Sequence, residues 1–255
     1  MKVGREPGKG GYAVATQVPN DLLDKAARRY EYEVAQAAQA RPAASVPRVI
    51  CVSRQFGAGG RQVSQALGRM LGWAVWDKEI LNVLAGEGGE AFRNRMFEAQ
   101  DERRQGEIEA LLSSLFGQAD KHTYFYLLPK AICTIARSDA VILGRGANLV
   151  LPDALKVFLR ASMGRRVANL VRIYGVSERE AKEWIGRTET ERQGFVQELA
   201  RRIPELAVRG GPAEFDLEVC TDRLSFSGAA AVIVAAAEAR FGVRLRGAAG
   251  QPNAA

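Results

Sequence analysis

An α/β fold built on a parallel sheet is what this sequence predicts, and three observations predict it. From residue 48 onward, short apolar runs bounded by turn residues alternate with helical stretches: Arg48–Val52, Trp73–Trp76, Ala140–Leu143, Leu155–Leu159 and Phe215–Val219. Their hydrophobicity is continuous rather than alternating, the pattern of a parallel strand covered on both faces. Between the first two runs, Val63, Ala66, Leu67, Met70 and Leu71 recur at the spacing of a helix packed on a sheet. Strand, helix and strand in that order form a βαβ unit, whose right-handed crossover favours a doubly wound sheet.

Taken in order, residues 1–47 read as a leader with flexible ends and one helix. Asn20 or Asp21 would cap that helix, and Leu23, Ala26, Ala27, Tyr30 and Val34 would share a face. The first strand of the main domain follows, then the helix around Val63–Leu71, with Gly72 placed to end it. Helical regions near 90–118 and 122–137 fill the gap before the third strand, and another helix is expected near 162–174. Ser177 and Glu180 have the spacing of a capping box for the next helix, whose buried face includes Ala181, Trp184 and Ile185. The last helix, about 228–240, is apolar nearly all round and is expected to be buried. The main domain is thus 48–243, and the tail 244–255 is expected to be disordered.

Composition narrows the chemistry. The chain has 255 residues, 47% hydrophobic and 25% charged, which excludes both a disulfide-stapled miniprotein and a disordered chain. No run reaches the roughly 18 apolar residues of a membrane helix, and the N-terminus lacks the apolar core of a secretory signal. A cytoplasmic protein with no membrane partner is the expectation. Cys51, Cys133 and Cys220 show no metal-ligand or redox-pair spacing and read as reduced core thiols. His122 is the only histidine, which excludes Ser-His and Cys-His catalytic pairs and multi-histidine metal sites within one chain. Chemistry must then rest on carboxylates, arginines, lysines and backbone amides.

The formal net charge is +7, and residues 160–209 carry eleven Arg and Lys against seven Glu and no Asp. Such a surplus suits nucleic acid, small phosphorylated ligands or a solvated helix of mixed charge. Tyr174, Trp184 and Phe195 are the region's few aromatics and lie at helical spacings, which argues against a platform for stacked bases.

The most informative stretch runs from Val49 to Val63 as strand, loop and helix, with Gly57, Gly59 and Gly60 in the loop. Glycines there let successive N–H groups converge at a helix N-terminus, where the dipole favours phosphate. Arg54 and Arg61 frame the loop, and arginine can grip phosphate with two parallel hydrogen bonds. The common phosphate loop reads GxxxxGK followed by Ser or Thr, whereas Gly60 stands here at the lysine and neither Ser nor Thr follows. A phosphate-binding turn and a glycine-rich structural turn both fit this spacing. Asp77 follows the second strand, at the sheet edge where ligands bind. It could cap a helix, orient a substrate hydroxyl or hold magnesium through water. Gly144-Arg145-Gly146 follows the third strand at the same edge and would let an anionic ligand approach closely, or form a turn whose arginine faces solvent.

Together these residues resemble bacterial cytidylate kinases, and most closely the cytidylate kinase-like family of P-loop proteins. Ser53–Arg61 resembles the family's SRQ-(F/Y)-G-(S/A)-G-G-R segment, Trp76–Glu79 its YDKE, and Val141–Asn148 its VIxGRGAN. The stretch LPDALKVFLRASMGRRVANL resembles the passage from the fourth strand into the lid, and the segment from Phe215 to Val219 the last strand. The similarity covers roughly 48–240, and motifs in this order are far more specific than any one alone.

The resemblance implies a three-layer P-loop kinase fold with a parallel sheet, a monophosphate-binding helical region at about 86–138 and a helical lid at about 162–205. It implies ATP with Mg²⁺ as cofactor, an ATP site at Gly57, Ala58, Gly59, Gly60, Arg61 and Gln62, and a nucleoside monophosphate site near Asp77, Arg145 and Gly146. Arg187 and Arg192 look like lid arginines that close over the transferring phosphoryl group, with Glu189 and Glu191 orienting them. Arg61 is the first candidate for the missing lysine's electrostatic role and Arg54 the next. Cytidylate kinases carry an aspartate after the Gly-Arg pair where Gly146 stands, so a ribose or base contact differs here. The expected activity is phosphoryl transfer to CMP or dCMP. The competing readings are a nucleotide-binding regulator that has lost transfer and a kinase of another small acceptor.

Overall fold

The computed structural model describes residues 46–77, 81, 124–202 and 214–245. The leader helix, the helical region near 90–118 and residues 246–255 of the C-terminal tail lie outside them, whereas Leu245, at the start of that tail, is buried in the core and its amide donates to the Glu238 carboxylate at 2.8 Å.

The five strands are β1 (Val49–Arg54), β2 (Ala74–Trp76), β3 (Ala140–Leu143), β4 (Leu155–Arg160) and β5 (Leu217–Cys220). All pair in parallel, in the order β2-β3-β1-β4-β5. β1 is the central strand, and its first four residues are buried, so its carboxyl end opens onto the crevice between outward-running crossovers. The register sets Val52 of β1 beside Leu143 of β3, which brings the two turns that follow them side by side.

Six helices complete the described residues: α1 (Gly60–Leu71), α2 (Tyr124–Ile135), α3 (Ala147–Val150), α4 (Met163–Tyr174), α5 (Glu178–Arg202) and α6 (Phe226–Phe241). Alternate residues of β1 point to opposite faces, and each face has its own core. On one side Ile50 and Val52 pack with Val63 and Leu67 of α1 and Ala230 and Ile233 of α6. On the other, Val49 and Cys51 pack with Leu128 and Ile132 of α2 and with Phe195 and Leu199 from the end of α5. The result is three layers, helix on sheet on helix. The α4–α5 hairpin adds a small core of its own, Val167, Leu170, Ala181 and Ile185, against which Phe56 packs.

Local signals act where the sequence places them. Gly72 ends α1 in a left-handed conformation. Ser177 and Glu180 close a reciprocal capping box, the Glu180 carboxylate accepting from Ser177 N at 2.8 Å and Ser177 Oγ from Glu180 N at 3.3 Å.

Three expectations need correcting. In β4 burial alternates, with Leu155, Val157 and Leu159 buried and Lys156, Phe158 and Arg160 less so, because Leu155, Val157 and Leu159 belong to the core shared with α1 and α6. In β5 only Val219 is buried, since this strand forms the sheet's edge. The apolar helix α6 buries one face only, through Ala229, Ala230, Ile233 and Ala237, and leaves Val232 exposed. Alanine is small enough to sit on either face, so its abundance hides the true amphipathy.

Candidate functional site

The loop between β1 and α1 is held in an unusual way. Its carbonyl oxygens are engaged one after another from outside. Arg192 Nη1 donates to Arg54 O at 3.1 Å, Arg166 Nε to Phe56 O at 2.7 Å and Asn169 Nδ2 to Gly57 O at 2.8 Å. Thr221 Oγ1, just beyond β5, donates to Ala58 O at 3.0 Å, and the Ala58 amide closes a turn onto Gln55 O at 3.2 Å. The Gln55 side chain accepts from Ala161 N at 3.0 Å, fixing the loop to the end of β4. Five consecutive carbonyls are thus tied back, the Gln55 amide is held by Leu159 O, and the loop leads into the N-terminus of α1, whose first N–H groups have no intrahelical acceptor. Gly57 and Gly59 adopt φ of +87° and +85°, values that fold such a loop into an anion-receptive concavity.

Most of these donors come from the α4–α5 hairpin. Arg166 is buried on α4 and also pairs with Glu189 of α5 at 2.5 Å, while Glu189 accepts from Phe56 N at 3.3 Å. The Arg192 guanidinium lies 5.3 Å from the centre of the Phe56 ring. Glu189 thus orients Arg166, and Glu191 is exposed. Arg187 is exposed too. Five residues from Arg192, it is rotated about 140° round the helix, away from the loop that Arg192 touches.

The second turn, Gly144–Gly146, carries three left-handed residues in succession, with φ of +81°, +56° and +67°. Arg145 is the one non-glycine residue with positive φ among the described residues. Such backbone costs of the order of 1 kcal/mol or more for a residue with a Cβ and persists where the surroundings over-determine it. Here the surroundings are evident. The Arg145 guanidinium lies 4.6 Å from the centre of the Phe195 ring, and Gly144 N donates to Val52 O at 3.0 Å. Tyr124 is close enough that the positive charge of Arg145 opposes the rise that burial imposes on its hydroxyl pKa. A Cβ on Gly146 would collide with Leu199, so the turn and the end of α5 are fitted to each other.

Arg54 joins the two turns. Its stem passes over Gly60, where a Cβ would stand 2.6 Å from Arg54 Cγ, and its head reaches Gly144, where a Cβ would run into Nη1. Arg61 is directed elsewhere. Its guanidinium meets Asp77 at 3.4 Å, with its side chain 49% exposed. Ser53 Oγ lies 3.4 Å from Asn148 Oδ1, a further link between the ends of β1 and β3. Gln62 is half-buried on the first turn of α1. Among the described residues no cluster of three His, Cys, Asp or Glu could hold a metal ion; Asp77 contributes one carboxylate at this edge. One carboxylate suits an ion that keeps most of its waters and arrives bound to phosphates.

The structure therefore gathers Arg54, Gly57–Gln62, Asp77, Arg145, Gly146 and Arg192 at one edge and leaves Arg187 outside it. Sequence reasoning missed Arg166, Asn169 and Thr221. The first two sit three apart beside the apolar stripe Val167–Leu170, and polar residues flanking a buried stripe are the signal that could have found them. Thr221 carried none.

A fold of this kind with a glycine turn after its central strand narrows the possible relatives, and the sequence model of the cytidylate kinase-like family matches residues 49–223. The chain belongs to the cytidylate kinase-like family. The match takes in the sheet, the glycine loop, the Gly144–Gly146 turn and the α4–α5 hairpin. Among solved structures, an uncharacterized protein from Eubacterium ventriosum is similar at 15% identity over 75% of this chain and 98% of its own, with a TM-score of 0.49. TT1252 from Thermus thermophilus is similar at 18% identity over 76% of this chain and 98% of its own, with a TM-score of 0.40. No curated protein matches the chain. Among the described residues, no helix is long and apolar enough to cross a membrane.

Proposed function

We propose that this kinase-like chain transfers the γ-phosphoryl group of ATP to a nucleoside monophosphate, with CMP or dCMP first among acceptors. One observation carries the reading: two anion-receptive turns, Gly57–Gly60 and Gly144–Gly146, open side by side at the carboxyl edge of β1 and β3, with Arg54 spanning them. Phosphoryl transfer needs the attacking oxygen and the transferred phosphorus held about 3–3.5 Å apart, with positive charge over the oxygens around them, and needs little covalent help from protein.

The loop amides and the N-terminus of α1 would bind the ATP phosphates. Arg145 would receive the acceptor phosphate, its guanidinium held in one direction by Phe195. Arg192, on the hairpin, would add charge near the transferring group while holding Arg54 O. Arg187 would need the hairpin to turn before it could take part. Magnesium, entering with ATP, would neutralise the phosphates, and Asp77 would hold it through water.

The test is ADP formation from ATP with each of the common ribo- and deoxyribonucleoside monophosphates. At least one acceptor, CMP or dCMP first, is expected to raise the rate well above background hydrolysis. Rates that stay at background with every acceptor sink the proposal, and tight ATP binding without turnover would instead identify a nucleotide-binding regulator.

A further inference from the structure

The glycine at the lysine place of the phosphate loop has a visible cause. When Gly59 is set as the second glycine of GxxxxGK, Gly60 takes the lysine's place and Arg54, five residues before Gly59, takes the first glycine's. The two places have exchanged character: the cation stands where glycine is usual, and glycine where the cation is usual. The structure shows why both changes belong together. The Arg54 stem runs over the Gly60 Cα, with Cγ 2.6 Å and Cδ 3.1 Å from where a Cβ would stand, and its head lies against Gly144. Gly60 has no positive φ, so no backbone demand requires glycine there. The space is what glycine provides.

We infer that Arg54 is the cation of the ATP phosphate site, doing from the end of β1 what a lysine does from the first turn of the helix, and that Gly60 is glycine to let it through. This rests on the proposed nucleotide site and specifies which of its arginines meets the donor phosphates. Arg61 is the alternative by sequence position, but its guanidinium turns along the surface to Asp77. Arg54 is half-buried, its backbone is fixed by the Arg192 bond to its carbonyl, and its head lies between the two turns where donor and acceptor phosphates meet. Arginine also brings what lysine cannot, a planar fork able to bridge two phosphate oxygens.

A double-mutant cycle in the full-length protein tests this, read by calorimetric titration with ATP and with adenosine. Arg54→Ala is expected to weaken ATP binding at least tenfold and leave adenosine binding within twofold. Gly60→Ala favours the helix by propensity, yet it is expected to weaken ATP binding by a similar factor because it displaces the Arg54 stem. The double variant should then bind ATP no more than about twofold worse than Arg54→Ala alone. Arg54→Gly with Gly60→Lys, which rebuilds GxxxxGK, should recover much of the loss, and thermal melting identifies any variant that has lost its fold. The inference is overturned if Gly60→Ala binds ATP as the native chain does, or if the two losses multiply. Because the readout is binding, a chain that binds ATP through Arg54 but phosphorylates no monophosphate would uphold this inference while refuting the proposed reaction.

Discussion

Replacing Arg166 with methionine separates the hairpin's hold on the glycine loop from everything else that Arg166 does. Methionine keeps an apolar stem of similar reach and so preserves packing beside Val167 and Leu170. What it removes are the 2.7 Å bond to Phe56 O and the 2.5 Å pairing with Glu189. A hydrogen bond from a charged donor is worth about 1.5–3 kcal/mol. Stranding a partner of a fully buried ion pair costs about 3–5 kcal/mol, but the Glu189 side chain is 36% exposed and can be resolvated, so that contribution falls toward the surface value. The expected loss is about 2–4 kcal/mol. At about 2–4 °C per kcal/mol for a domain of this size, the melting temperature should drop by about 5–15 °C. The freed Phe56 carbonyl should also loosen the loop, so ATP affinity, measured below the melting range, should fall at least fivefold. Arg166→Lys, with one compact charge, should recover part of the stability and little of the affinity. A variant that melts within 2 °C of the native chain and binds ATP equally well would refute the idea that the hairpin shapes the loop.

Two further outcomes follow from titration and burial. Glu198 accepts from Arg201 and Arg202 at the end of α5, which holds its carboxyl near 2 instead of 4.5; its stabilising contribution is therefore complete above about pH 4.5 and is lost as pH falls toward 2. Glu198→Gln should accordingly melt below the native chain at pH 7, with the gap closing in that acid window, whereas a constant gap would mean that the ion pairs contribute nothing. Burial pushes the thiols of Cys51 and Cys133 up to about 12, while Cys220 is half-buried. A disulfide-exchange reagent at pH 8 should therefore titrate one thiol quickly in the native chain and all three only after denaturant is added.

The fold was legible because parallel strands announce themselves: Ala140–Leu143 is bounded in the structure as its apolar run is in the sequence, and β1 and β2 differ from theirs by one or two residues. Burial on β4, β5 and α6 was less legible, since it depends on which element lies opposite, and sequence carries no record of that. The site divides in the same way. Glycine loop, Asp77 and Arg145 follow directly from strand ends, because topology alone brings strand ends together. The direction of a long side chain does not follow. Arg61 and Arg54 flank the same loop, yet one turns to Asp77 and the other threads past Gly60, a difference set by a missing Cβ and not by charge. The cysteine expectation held for two thiols and erred for Cys220, because β5 lies at the edge of the sheet.

Two arginines of the hairpin therefore act on the glycine loop. Arg166 and Arg192 donate to the carbonyls of Phe56 and Arg54, and the Phe56 bond lies on the opposite side of its peptide from the Gly57 amide. Fixing the Phe56 carbonyl helps fix the direction of the Gly57 amide, because carbonyl and amide of one peptide unit point in opposite directions, while the Gln55, Phe56 and Ala58 amides are held by Leu159 O, Glu189 and Gln55 O. Loop and hairpin are consequently one linked system. Whatever binds the amide edge and orders the loop must tighten the hairpin's grip by the same factor by which that grip improves binding. In the nucleotide site proposed above, the same arginines would hold hairpin and loop together, so that nucleotide affinity and hairpin position should not be separable by mutation.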